Sequence, residues 1–129
     1  MIEEIPTLVA IKDWNTGHLH ERHIRELQNG PRPFNVLTTN SAWLMSSLTM
    51  GANGLLSGSG SVIADLHLAL FDAVREGDLK RAQLINDRIF PTAQCFYAPP
   101  ETDMHNRMKT ALLMSVSYTH LTLPTNREV

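Results

Sequence analysis

Hydrophobic and polar positions follow two periods in turn along the chain. Residues 7–13, TLVAIKD, are a short apolar run rich in β-branched side chains with a charged end. That pattern predicts a buried parallel strand. Residues 17–30 follow with Leu19, His23, Ile24 and Leu27 at helical spacing, and Gly30 and Pro31 stop the helix. FNVLTT at 34–39 reads as a second strand. Asn40 or Ser41 then offers a side-chain oxygen to cap a helix over 42–50, and Gly51 stands where a left-handed C-terminal residue is needed. GLLSG at 54–58 is a third, very short strand.

Two helices come next. The first, over about 62–76, carries Leu66, Ala69, Leu70, Ala73 and Val74 on one stripe and ends at Gly77. Asp78 caps the second, which repeats Ala82, Ile85, Ile89, Ala93 and Phe96 at steps of three and four. Pro91 lies inside that pattern and is expected to kink it. APPETD at 98–103 reads as a loop, Asp103 as another cap, and Met104, Met108, Ala111 and Leu112 as the start of a further amphipathic helix. Strand–helix units at short intervals predict an α/β fold with a parallel sheet and covering helices. Three such strands suit a Rossmann-like sheet or a (β/α)8 barrel. A whole barrel takes about 250 residues, so this chain would supply at most about half of one.

Composition narrows the function only a little. With 129 residues and 43% hydrophobic positions, one modest core is expected. A formal net charge of -2 gives a weak field, which argues against nucleic acid or an acidic membrane surface as partner. A single cysteine, Cys95, cannot form an internal disulfide and fits a reducing, cytoplasmic location. The start MIEEIP lacks the basic and apolar regions of a signal peptide. No apolar run approaches the roughly 20 residues that span a bilayer.

Lys12 is the first residue with chemical promise. It ends an apolar strand, and in a barrel that end is the active-site face. Desolvation there would disfavour the ammonium and free the amine to attack a carbonyl. On spacing alone, a lysine snorkelling from a strand end to water is the simpler reading. The cluster His18, His20 and His23 has spacing that metal ligands use, but no Cys or carboxylate joins it at a fixed motif distance. Arg22 and Arg25 crowd the same helix, so a solvated helix is expected and no metal site. SGSGS at 57–61 precedes a helix, where amides can bind an anion. A tight strand-to-helix loop explains it as well.

At VAIKDW, followed by VLTTNSAWLMSSLTMGANGLLSGSGSV, the chain resembles the dihydrodipicolinate synthase / N-acetylneuraminate lyase family. The resemblance runs over roughly residues 3–114. A strand-end lysine flanked by Ile/Val and Asp/Glu is matched by Ile11, Lys12 and Asp13. The Gly-Ala-x-Gly turn into the last strand is matched by Gly51, Ala52, Asn53 and Gly54, and the loop after that strand by Ser57 to Ser61. A helical hairpin is matched by Gly77, Asp78, Ala82 and Ile85, and later helices by Pro91, Met108, Lys109, Ala111 and Leu112.

The resemblance implies the C-terminal part of a (β/α)8 barrel, about strands 6–8, with the start of a helical extension. Residues 1–62 would be partial barrel and 63–114 the last barrel helix and the C-terminal helical region. It implies a class I lyase or aldolase in which Lys12 forms a Schiff base with pyruvate or a related α-keto (sugar) acid. Ser57, Gly58 and Ser59 would bind that substrate. No cofactor or metal is implied, because the iminium is itself the electron sink. The parent enzyme would be a homo-oligomer. The family's Gly-rich carboxylate-binding segment and catalytic tyrosine lie on earlier strands, and only a dozen residues precede Lys12, so the fragment alone is expected to be inactive. The alternative is a non-catalytic half-barrel that pairs through its open edges. Trp14, where the family often has a small residue, and TTN at 38–40 favour a keto-sugar-acid branch.

SVSYTHLTLPTNREV at 115–129 has neither period. Read back as codons, Val116 to Thr125 resembles the read-through of a transposon-based library adapter, and Asn126 to Val129 continue it. Residues 115–129 are therefore expected to be a non-native tail, and Met1 an internal methionine or the first start available.

Overall fold

The computed structural model describes residues 4–115; the tail expected to be non-native lies almost wholly outside them. Elements alternate as the patterning predicts: β1 (Ala10–Asp13), α1 (Gly17–His23), β2 (Asn35–Thr38), α2 (Leu44–Met50), β3 (Gly54–Leu55), α3 (Ala64–Arg75), α4 (Leu79–Phe96) and α5 (Met104–Met114). A π-helical turn, Ile24–Gln28, extends α1, and 3-10 turns occupy Gly58–Ser61 and Glu101–Asp103. The strands form one parallel sheet in the order β1-β2-β3. Its register sets Lys12 opposite Leu37, Asp13 opposite Thr38, and Leu37 opposite Gly54.

Side chains alternate across a strand, and the two faces of this sheet differ. On the helix side Ile11 packs with the buried Ile24, Val36 and Ala52. Lys12 and Leu37 point the other way, where Lys12 is exposed and Leu37 borders a groove shared with α3. The first strand is thus half-buried, not buried on both faces as its apolar run suggests. Gly54 lies on that second face under Leu37. A Cβ there would meet Leu37 Cδ2 at 2.5 Å, so a larger residue would force Leu37 away.

The main core sits between α2 and the helical hairpin of α3 and α4. Leu44, Leu48, Leu70, Ala73, Ala82, Ile85, Ile89 and Ala93 form one buried cluster. The predicted stripes of α3 and α4 therefore meet each other, and Gly77 turns between them at φ +75. Asp78 caps α4 by accepting from the Arg81 amide at 2.9 Å. Gly51 ends α2 in the left-handed region at φ 112, as predicted.

Two expected caps differ. Asn40 accepts from the Ala42 amide at 3.2 Å, and α2 begins only at Leu44 with no side-chain cap, because residues 40–43 form their own turn first. The Asp103 carboxylate takes Asn106 Nδ2 at 2.8 Å instead of a backbone amide. Pro91 lies inside α4, which continues to Phe96 because the buried stripe of Ile89, Ala93 and Phe96 packs across it. Arg107 reaches back from α5 to the carbonyls of Phe96 at 3.1 Å and Ala98, joining the last helix to the end of α4.

Candidate functional site

The carboxyl ends of the strands gather two clusters of polar side chains. Asp13 closes β1 and is buried on the helix side. Its Oδ1 accepts from the Asn15 amide at 3.0 Å and from Asn15 Nδ2 at 2.7 Å. Its Oδ2 receives His20 Nδ1 and His23 Nδ1, each at 2.8 Å. Burial by itself would raise the carboxyl. The bonds from the Asn15 amide, His20, His23 and the Asn15 side chain outweigh it and lower the pKa from 3.8 to about 2.

His20 is fully buried, as is Ser47 of α2. With Nδ1–H given to the Asp13 carboxylate, His20 Nε2 accepts from Ser47 Oγ at 2.5 Å. The chain Asp13–His20–Ser47 thus ties the end of β1 to α1 and α2.

This corrects the expectation of a solvated histidine cluster. The solvated face exists, with Arg22 on Glu26 at 2.8 Å and Arg25 on Glu21 at 3.4 Å, and His18 is exposed. His20 sits on the opposite side. A carboxylate does join His20 and His23, from the strand and not from the helix. Among the described residues, no group of three or more His, Cys, Asp or Glu is placed to hold a metal ion.

A second cluster is made of hydroxyls. Ser41, after β2, lies within hydrogen-bond reach of Ser57, of Ser59 Oγ at 2.5 Å and of Tyr97 OH at 2.9 Å. Ser59 also meets His67 Nε2 of α3 at 3.1 Å. His67 is buried, and burial pushes its imidazole below 6.5 against the opposing pull of Asp65. The Gly58–Ser61 turn uses its neighbours' amides internally: Gly60 donates to Ser57 O, and Val62 and Ile63 to Ser59 O, each at 3.0 Å. Ser59 is buried, Ser57 partly buried and Gly58 exposed.

Trp14, directly after the Lys12–Asp13 pair, leans on Tyr97 with ring centroids 6.0 Å apart at 57°. Both rings line a cavity of about 360 Å³ with Asn40, Gln94 and Pro99. A larger, apolar groove of about 510 Å³ runs along β3 beside Leu37, Leu56, His67 and Phe71. Sequence reasoning placed Lys12 and the Ser57–Ser59 loop at this end of the sheet but missed Asp13 as an acceptor, and also Ser41, Ser47, His67 and Tyr97. Only Asp13 left a signal, as an acid at a strand end seven residues ahead of a helical histidine. The others are joined by tertiary packing across 27 residues for His20–Ser47 and 56 for Ser41–Tyr97.

Comparison with known proteins bears on the family and the fold. The chain is 35% identical over 89 residues to 4-hydroxy-tetrahydrodipicolinate synthase of Nitrosomonas europaea, covering 69% of this chain and 30% of the relative. It is 29% identical over 99 residues to the protein of the same name from Symbiobacterium thermophilum, covering 76% of this chain and 32% of the relative. The chain therefore spans about 30% of the length of the curated relatives it matches. Dihydrodipicolinate synthase of Bacteroides thetaiotaomicron superposes with a TM-score of 0.76 at 17% identity, covering 88% of this chain and 39% of that one. The Aquifex aeolicus enzyme gives 0.72 at 22%, covering 98% and 42%. These two likenesses speak for the fold. The model of the dihydrodipicolinate synthetase family matches residues 1–123, and the chain belongs to that family.

Proposed function

We propose that the chain is the lysine-bearing part of a Schiff-base lyase, contributing about strands 6–8 of a (β/α)8 barrel and the start of the helical extension. The observation that carries the reading is Lys12. It stands at the carboxyl end of β1, on the face opposite the buried helices, in a chain of this family. Its amine adds to the carbonyl of pyruvate or a related α-keto acid and water leaves, giving an iminium. The iminium withdraws electrons from the neighbouring carbon and stabilises carbanion character there. Ser57, with Gly58 and Ser59 in the same turn, borders the keto acid. Exposed Gly58 and partly buried Ser57 are the accessible members, while Ser59 acts from beneath through Ser41 and His67. The apolar groove along β3 supports a barrel reading, since a neighbouring strand and helix would fill it.

The chain has three lysines, Lys12, Lys80 and Lys109, so the test carries its own controls. Borohydride reduction with pyruvate is expected to leave one adduct, mapped to Lys12 by peptide mass. Lys12→Ala should abolish it and EDTA should not change it. The chain alone is expected to be labelled weakly and to turn nothing over. Completing it with the preceding barrel segment of the Nitrosomonas europaea relative should raise labelling at least tenfold. Labelling spread evenly over the three lysines in the completed barrel would refute the assignment.

A further inference from the structure

We propose that His20 is a positioning residue for the strand end that carries Lys12. The inference rests on the reading of Lys12 for its catalytic meaning, but its geometry stands apart from that reading. β1 has only four residues and lies at the edge of the described sheet, so β2 alone holds it laterally. Its last backbone bond is Thr39 N–H to Asp13 O at 3.1 Å. Beyond Asp13 the chain leaves the sheet for the loop that leads into α1. A short edge strand held this way frays easily.

The helix side supplies the missing restraint. His20 Nδ1–H fixes Asp13 Oδ2, Ser47 fixes the far side of the same ring, and the whole chain of groups is buried. His23 adds a second, half-exposed hold on the same oxygen. Because neighbouring side chains of a strand point to opposite faces, locking the Asp13 carboxylate sets the peptide from which Lys12 projects to the open face. A carboxylate accepting charge-assisted bonds in a buried setting gives a stiff contact, which suits an amine that must meet a carbonyl in one orientation. Ser–His–Asp order alone would suggest a nucleophile, but Ser47 is fully buried in α2 and no substrate can reach it. The ring therefore positions and does not react.

Two amide variants separate positioning from filling space. In His20→Asn the side-chain nitrogen occupies the place of Nδ1 and keeps the donor to Asp13, while the arm to Ser47 is lost. In His20→Gln the amide reaches towards Ser47 and matches the ring better in length, but the donor to Asp13 is lost. Hydrogen exchange of the Thr39 amide, measured on the 129-residue chain, reads the strand end directly. The expected order is exchange about tenfold faster in His20→Gln and within about threefold of wild type in His20→Asn. His23→Gln should give a smaller change in the same direction and serves if His20→Gln does not fold. Pyruvate and borohydride labelling of Lys12 in the completed barrel, normalised to Lys80 and Lys109, should run the opposite way, lowest in His20→Gln and near wild type in His20→Asn. Equal exchange in both His20 variants, or faster exchange in His20→Asn, would overturn the proposal. If the exchange order holds and Lys12 of the completed barrel labels no better than the other two lysines, positioning of the strand end stands and the imine reading falls.

Discussion

Asp13 offers the most direct quantitative check on the buried network. Its folded-state pKa of about 2, against 3.8, means that the folded chain prefers the carboxylate more than the unfolded chain does. That preference contributes stability that is fully present above about pH 4 and is lost as the pH falls through about 2. At roughly 1.4 kcal/mol per pKa unit, the contribution is about 2 kcal/mol. Asp13→Asn keeps the shape and removes the charge. Urea unfolding followed by tryptophan fluorescence should then find the variant about 2 kcal/mol less stable near neutral pH. The gap should shrink by more than half when both proteins are compared at about pH 2, where the wild-type carboxyl is itself protonating. The slope with pH tests the reasoning better than the size of the gap. A gap that stays constant from neutral pH to about 2 would show that Asn disturbs packing and that the hydrogen-bonded charge contributes nothing.

Two further outcomes follow from buried groups elsewhere. His67 is held below 6.5 in the folded state, so stability should be full above about pH 6.5 and fall as the pH drops beneath it. His67→Gln, which keeps a nitrogen near Ser59, should flatten that part of a profile of urea midpoints between about pH 7.5 and 5.5. Ile89→Ala removes a fully buried side chain from the cluster between α3 and α4. It should cost about 2–5 kcal/mol, read from the same denaturation curves.

Local patterning carried most of the fold. β-branched runs, two glycines at positive φ and a capping aspartate mark where strands and helices change over, and all of these are short-range signals. Strand lengths were less legible. TLVAIKD reads as a seven-residue strand, but pairing begins only where Ala10 meets Asn35, because strand length is set by the partner and not by propensity. The histidines show the same limit at the site. A helical wheel of 17–30 displays the Arg–Glu face and cannot show which side a strand-end carboxylate will approach. Once Asp13 lies on the helix side of the sheet, the loop at 14–16 brings His20 and His23 over it, and the ring that looked solvated becomes buried.

Lys12 and Asp13 are adjacent, yet they meet opposite conditions, and the period of two along a strand is the reason. The Asp13 side is furnished within the described residues, since the carboxylate is held by its own neighbour Asn15 and by His20 and His23 of α1, and Ser47 of α2 holds His20 in turn. The Lys12 side offers Leu37 and the covered Gly54 within the sheet, and Lys12 itself stays exposed. Holding the strand end and desolvating the amine are therefore separable tasks with separate sources. The first depends on His20, Asp13 and Ser47 and is built into these residues. The second requires apolar surface over the open face, which these residues do not provide to the exposed Lys12. An amine so exposed lacks the desolvation expected of it at a barrel strand end. Placing more barrel over that face should raise the reactivity of Lys12, and in the barrel so completed His20→Gln should still exchange the Thr39 amide faster than His20→Asn.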